Sequence, residues 1–120
     1  MPTVSICLWF GKDAEEAVRF YVSIVPQSRI LHIQRSPGPW PGGDAGDVIV
    51  ISFILGGQNY QALNGGAPAD YGTAASISVE CADQTEVDRL WAALTGGGGS
   101  EIMCGWLRDR WGVPWQIVPE

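Results

Sequence analysis

The sequence is short of basic residues. Seven Lys and Arg stand against 13 Asp and Glu, so the 120 residues carry a net charge of −6. Nucleic acids and anionic membrane surfaces bind clustered cations that displace their counterions, and we exclude both as partners. No apolar run approaches the roughly 20 residues of a membrane span, and no basic segment followed by an apolar core begins the chain. We therefore expect a cytoplasmic protein.

Cysteine and histidine are also scarce. The three cysteines, Cys7, Cys81 and Cys104, are odd in number and form no C-x-x-C pair, which excludes a disulfide framework and a zinc cluster. No histidine or helix start stands near them to lower a thiol pKa, so covalent catalysis is the weakest option. The one histidine, His32, is predicted to be a structural or surface residue on a strand far from the site proposed below.

What is present indicates one globular domain, 1–120, with 46% hydrophobic residues. The first half reads as a strand over 3–10, a helix opening at Asp13 with Glu16 three residues on, and strands over 28–34, 48–55 and 58–64. Its helix has one apolar face, which consists of Ala17, Phe20, Tyr21 and Ile24.

The second half repeats this order. A strand over 75–81 precedes a helix opening at Asp83 with Glu86 three residues on, and strands follow over 101–104, 107–110 and 114–118. The apolar face of this helix consists of Val87, Leu90, Trp91 and Leu94. Because both helix starts lie in one register, 70 residues apart, we predict a duplicated βαβββ unit with pseudo-repeats 1–66 and 73–120.

The segment 36–47, rich in Pro and Gly, cannot hold regular structure. With Trp40 at its middle it is either a lid over a pocket or an ordinary mobile connection.

A single helix covers one face of each sheet. We therefore predict an α+β fold in which two βαβββ modules form a half-open mixed β-barrel, with the helices outside and a concave inner face that suits a small ligand. Strand alternation directs these residues inward: Asn59, Gln61, Leu63, Ser76, Ser78, Glu80, Gln116 and Val118. The opposite face, against the helices, receives Ile77, Val79, Trp115 and Ile117.

Two glycine spacings support a shared cavity. Gly57 stands four residues before Gln61, as Gly112 stands four before Gln116. Pseudo-symmetry predicts that the two Gln side chains face each other across one cavity. Ser76 and either Ser5 or Ile6 would form the remaining corners.

The sequence resembles the PhnB-like branch of the vicinal oxygen chelate, or glyoxalase/bleomycin-resistance, superfamily, often labelled as 3-demethylubiquinone methyltransferase-like. The resemblance covers nearly the whole chain and is carried by Cys7-Leu8-Trp9-Phe10, Ala14-Glu15-Glu16-Ala17 with Phe20-Tyr21, Leu63-Asn64-Gly65-Gly66, Glu86-Val87-Asp88-Arg89 with Trp91, and Cys104-Gly105-Trp106-Leu107 through Trp115-Gln116-Ile117-Val118-Pro119.

The resemblance implies the glyoxalase fold and a homodimer. Metal enzymes of the superfamily place His, Gln or Glu at four corners, which fall here near Ser5 or Ile6 and at Gln61, Ser76 and Gln116. Two amides and a serine offer neither charge nor imidazole, so we expect no metal and no cofactor. The methyltransferase label gains no support either, since no Gly-rich turn opens toward a helix.

Three functions follow. The first is a metal-free small-molecule-binding protein, in which an apolar or aromatic ligand contacts Gln61, Ser76, Ser78, Glu80, Trp106 and Gln116. The second is an enzyme, glyoxalase- or dioxygenase-like or a methyltransferase as labelled, that acts on such a metabolite, with Glu80 as base and Asp109 with Arg110 steering a polar group. The third is a dimeric scaffold whose pocket is vestigial.

Overall fold

A computed structural model of the protein describes residues 2–120. The chain divides into two compact units, of which the first ends at Ala69 and the second covers Asp70–Glu120. Each unit contains one α-helix and four strands in the order βαβββ. Within residues 2–120 no helix is long and apolar enough to span a membrane. The predicted α+β class with two βαβββ modules is confirmed.

The elements of the first unit are β1 (Ile6–Phe10), α1 (Ala14–Ile24), β2 (Arg29–Arg35), β3 (Val48–Leu55) and β4 (Gln58–Asn64). Those of the second unit are β5 (Ile77–Cys81), α2 (Gln84–Thr95), β6 (Ser100–Met103), β7 (Trp106–Arg108) and β8 (Pro114–Pro119).

The two units have the same strand order. Their sheets run β1-β4-β3-β2 and β5-β8-β7-β6, and in each the first and last strands are parallel whereas the other pairs are antiparallel. The two units thus share one topology, and a duplication with pseudo-repeats 1–66 and 73–120 stays a prediction. Within residues 2–120 no strand of one sheet pairs with a strand of the other.

One face of each sheet is buried against its helix. Along β4, Tyr60, Ala62 and Asn64 are buried and the alternate residues are half-buried. Helix α1 buries a stripe that differs from the predicted one, namely Ala14, Ala17, Val18 and Tyr21. The stripe begins one turn earlier than predicted, at Ala14, and Phe20 and Ile24 are half-buried.

The two helices begin differently. At α2 the side chain of Asp83 accepts a hydrogen bond from the Glu86 amide at 2.9 Å, as predicted. The side chain of Asp13 makes no such bond, so the predicted cap of α1 is wrong. Instead, Asn64 Oδ1 accepts from the Ala14 amide at 2.9 Å. The same side chain donates through Nδ2 to the Val48 carbonyl at 2.9 Å, and the helix is thus capped from the sheet.

Asp109 is buried and closes the turn between β7 and β8. Its Oδ1 accepts from the amides of Trp111 at 2.9 Å and Val113 at 3.0 Å, and its Oδ2 accepts from Trp115 Nε1 at 3.0 Å. The predicted strand over 107–110 therefore ends at Arg108. The predicted steering of a polar group by Asp109 is wrong, because both carboxylate oxygens bind this turn and the residue is only 3% exposed.

Asp109→Ala is expected to lower the free energy of unfolding by about 2–4 kcal/mol, because three donors to the carboxylate lose their acceptor in a buried place. Asp109→Asn keeps an acceptor for the two amides, so its loss is expected to be smaller. Urea unfolding measures both variants. The exposed Glu101 of β6 provides a control, since Glu101→Ala should change stability by no more than about 0.5 kcal/mol. Equal stabilities of Asp109→Ala and the control would contradict the assignment.

Candidate functional site

Five of the six predicted site residues lie in the second unit. Three of them form one cross-strand row, in which Ser78 of β5 pairs with Gln116 of β8, and Gln116 pairs with Trp106 of β7. Residues directly opposite each other in adjacent strands extend from the same face of a sheet. The structure therefore brings these three side chains together on the face away from α2, which we call the open face of the second sheet.

Ser76, just before β5, joins this row through a hydrogen bond. Gln116 Nε2 donates to Ser76 Oγ at 2.9 Å. The bond uses one of the two amide hydrogens of Gln116 and fixes the plane of the amide, so the second hydrogen and the carbonyl oxygen remain for a ligand.

The burial pattern separates the open face from the buried face. In β8, Trp115 and Ile117 are buried, whereas Gln116 and Val118 are half-buried. In β5 the buried residues are Ile77 and Cys81, and Ser78 and Glu80 are exposed. Glu80 pairs with Val118, one row beyond Gln116, and its carboxylate is in contact with solvent and not in a dry cavity.

The sixth predicted residue, Gln61, occupies the matching place in the first sheet. It pairs with Cys7 of β1 and Ser52 of β3, and Ser52 pairs in turn with His32 of β2. His32 is thus in the same cross-strand row as Gln61, about 10 Å away by two interstrand spacings. The prediction that His32 lies far from this corner is wrong, because the strand order places β2 only two strands away from β4.

The register also decides between Ser5 and Ile6. Ile6 pairs with the buried Tyr60, so it does not share the face of Gln61. Ser5 lies two residues before Cys7, as Ser76 lies two before Ser78, and strand alternation assigns it to the Gln61 side. Ser5 is therefore the counterpart of Ser76.

The residues predicted as corners do not fit the metal that the resemblance implies. Ser5, Gln61, Ser76 and Gln116 offer hydroxyls and amides, whereas Zn²⁺ and similar ions require imidazole, thiolate or carboxylate ligands. Across residues 2–120, no three His, Cys, Asp or Glu side chains are grouped closely enough to hold a metal ion. Partial burial raises the pKa of the neighbouring Cys7 thiol, which makes it a weaker nucleophile.

The segment 36–47 of the first unit is held by its own hydrogen bonds. Ser36 and Asp47 join its ends at 2.8 Å, and Trp40 and Gly43 exchange two backbone bonds of 3.1 and 3.0 Å. Trp40 Nε1 donates to Asp47 Oδ2 at 3.0 Å, and the Asp44 amide donates to the same oxygen at 2.8 Å. These bonds, chiefly that from Asp44, lower the pKa of the Asp47 carboxyl. The alternative of an ordinary mobile connection is not supported by this network.

This segment borders a cavity of about 300 Å³ in the first unit. The lining consists of Lys12, Glu15, Arg35, Trp40, Gly46, Asp47, Val48 and Asn64. Sequence reasoning identified Trp40 but missed the cavity. No local signal reveals it, because its walls come from the ends of β1, β2 and β4 and the starts of α1 and β3.

A second, larger hollow of about 570 Å³ lies in the second unit between α2 and the ends of β6 and β8. Its walls include Val87, Trp91 and Cys104. It shares only Val118 with the inward-facing residues predicted from the sequence.

The Trp40 indole N–H resonance is expected to shift in acid with a midpoint below the ordinary Asp pKa of about 3.9. The pKa of Asp47 is lowered in the folded chain, so the stabilisation of the loop is present above the unfolded pKa and is lost as pH falls through the folded one. NMR titration of the indole proton measures the midpoint, and Trp40→Phe assigns the resonance. Asp47→Asn should abolish the titration. A midpoint at or above the ordinary value would contradict the bond.

Known proteins share the fold of this chain. A family model described as 3-demethylubiquinone-9 3-methyltransferase matches residues 2–118. The structure of the PhnB protein from Bacillus cereus is 30% identical, with a TM-score of 0.88 over 99% of this chain and 100% of that one.

Two more distant structures share the fold alone. A protein from Pseudomonas aeruginosa is 21% identical, with a TM-score of 0.76 over 100% of this chain and 98% of that one. A glyoxalase/bleomycin resistance protein from Albidiferax ferrireducens is 18% identical, with a TM-score of 0.60 over 98% of each chain. No curated protein matches the sequence.

Proposed function

We propose that this protein binds a small organic molecule without a metal ion. The premise is that the chain belongs to the 3-demethylubiquinone-9 3-methyltransferase family, the PhnB-like branch of the glyoxalase/bleomycin-resistance superfamily. The site is the open face of the second sheet, with Ser76, Ser78, Glu80, Trp106 and Gln116.

The observation that carries the proposal is the orientation of Gln116. Its amide is half-buried, held by Ser76, and flanked in register by Ser78 and Trp106. A polar group with fixed direction between a hydroxyl and an aromatic ring gives a ligand both a hydrogen-bonding point and a contact surface. Such convergent polar groups on an apolar surface are typical of small-molecule sites.

The row changes from apolar to polar across the sheet. Met103 of β6, which is 57% exposed, pairs with Trp106 of β7, and Gln116 and Ser78 follow on the next two strands. A thioether and an indole ring favour a flat apolar body, whereas the amide and the hydroxyl favour an oxygen or nitrogen substituent. The proposed ligand is therefore an aromatic or otherwise planar metabolite with one polar end.

Gln61 belongs to the proposal as the counterpart of Gln116 in the first sheet. The pairing of Gln61 with Cys7 and Ser52 parallels the pairing of Gln116 with Ser78 and Trp106. The variant Gln61→Leu tests its participation separately, since the ligand affinity of that variant should fall if both amides bind it. The homodimer and the cytoplasmic location stay predictions, and sedimentation of the purified chain tests the first.

A methyl-transfer reaction is not part of the proposal. Dinucleotide-like cofactors bind at a Gly-rich turn between a strand and a helix. Here the β1–α1 turn is Gly11-Lys12-Asp13 and the β5–α2 turn is Ala82-Asp83, so the residues do not provide such a turn. Glu80 lies one row beyond Gln116 and is exposed, which does not favour a role as a base.

A thermal-shift screen of planar aromatic metabolites is expected to yield a ligand that raises the Tm of the protein. Gln116→Leu should weaken its binding about tenfold, which corresponds to the loss of one hydrogen bond of about 1.4 kcal/mol. The control is Gln58→Leu, which changes an exposed glutamine at the start of β4 and should alter the Kd less than twofold. Equal affinities in Gln116→Leu and wild type, or no ligand at all, would contradict the proposal. A ligand that is consumed would favour the enzyme.

Titration with Zn²⁺ or Mn²⁺ in a calorimeter should show no saturable uptake at micromolar concentrations, because the open-face residues lack imidazole and thiolate ligands. Uptake that Gln116→Leu abolishes would overturn the metal-free assignment. Uptake that survives this variant would place the ion elsewhere on the chain.

A further inference from the structure

The cavity bordered by the 36–47 segment is separate from the site proposed on the second sheet. We propose that it binds a small anion that carries a phosphate or a carboxylate group, with Lys12 and Arg35 as its charge partners. Every residue of this cavity belongs to the first unit, so the site requires nothing from the second.

Lys12 is the one lysine of the sequence, and its ammonium group has no direct partner. Within residues 2–120 the structure gives it no hydrogen bond and no ion pair, only a long-range attraction to Asp47. The ammonium group keeps three N–H donors. In a chain of net charge −6, an unpaired cation at the wall of a cavity is an available partner for an anion.

Arg35, the last residue of β2, supplies the second cation. One of its five N–H donors, at Nη1, bonds to the Gly46 carbonyl at 3.2 Å. This bond ties the guanidinium to the wall formed by the 36–47 segment and leaves the remaining donors for a ligand. A guanidinium binds planar carboxylates and phosphates through two parallel hydrogen bonds, which the ammonium of Lys12 supplements as a point charge.

The two carboxylates of the cavity already have partners. Glu15 Oε2 accepts from Arg19 Nε at 3.1 Å and Nη2 at 2.8 Å. Asp47 Oδ2 accepts from the Trp40 indole and from the Asp44 amide. Their negative charge is therefore partly balanced by groups other than Lys12 and Arg35. The four charged residues of the lining, two cations and two carboxylates, therefore have a net charge of about zero at neutral pH, in a chain whose net charge is −6.

The dimensions limit the occupant. A cavity of about 300 Å³ is at the lower end of the range for ligand sites, so it suits a small anion and not a nucleotide or a lipid. Trp40 and Val48 provide one apolar side of the wall. A short organic phosphate or carboxylate satisfies both conditions, and inorganic phosphate and succinate represent the two chemical sources.

The single lysine gives a direct measurement on the unmodified chain. The full-length protein is treated with limiting acetic anhydride at constant ionic strength, with sodium chloride, sodium phosphate or sodium succinate, and acetylation of Lys12 is measured by mass spectrometry. A bound anion is expected to slow acetylation of Lys12 at least threefold and saturably, while the α-amino group serves as internal reference. No saturable protection by phosphate or succinate would overturn the proposal.

Two variants test whether the protecting anion binds in this cavity. Arg35→Gln should weaken the protecting anion at least tenfold, as measured by calorimetry and by Lys12 acetylation. The matched control is Arg29→Gln, which changes an exposed arginine at the other end of the same strand and should alter the affinity less than twofold. Circular dichroism checks that both variants remain folded. Equal effects of the two variants would show non-specific attraction and overturn the site, whereas protection by one anion alone identifies the phosphate or the carboxylate class.

Discussion

One helix can cover only one face of a four-stranded sheet, and the rest of each unit depends on this limit. Helix α1 packs on β3 and β4, and α2 packs on β8 and β7. The covered faces contain the large apolar side chains, such as Trp115 and Phe53, which are fully buried. The uncovered faces therefore receive residues that tolerate water, and Gln61 and Gln116 are among them. The open face of the second sheet results from this coverage before any ligand is considered.

Residues that alternate along a single strand could be predicted, because a strand has a period of two. The bounds of β3 and β4 agree with the predicted 48–55 and 58–64, and Gln116 and Ser78 were assigned to the correct face of the sheet. Placement across strands could not be predicted in the same way. Sheet order and register bring His32 into the row of Gln61, and these are non-local properties that the spacing of residues along the chain does not contain.

Polar residues in the interior were the least predictable. Asn64 and Asp109 are the two buried polar or charged residues in the part of the chain that the structure describes. Asn64 joins β4 to α1 and β3, and Asp109 closes the turn between β7 and β8. Burial without partners would cost several kcal/mol. Asp109 accepts hydrogen bonds from three groups, and Asn64 bonds to two backbone groups. The steering role predicted for Asp109 assumes an accessible carboxylate, and residue spacing along the chain does not reveal that Asp109 is buried. The cavity of the first unit could not be predicted either, because five segments that are separate in the sequence form its lining.

The different origins of the two helix caps affect the order in which the units can form. Asp83 lies beside the helix it caps, so a peptide that contains α2 alone keeps that stabilisation. The partner of the Ala14 amide is 50 residues away in the chain, and it arrives only when β4 has paired. Helix α1 is thus coupled to long-range strand pairing, a slow class of event because loop closure precedes any gain. Of two helices in one topology, the second thus carries its own cap, whereas the first receives its cap from a strand that is distant in the sequence.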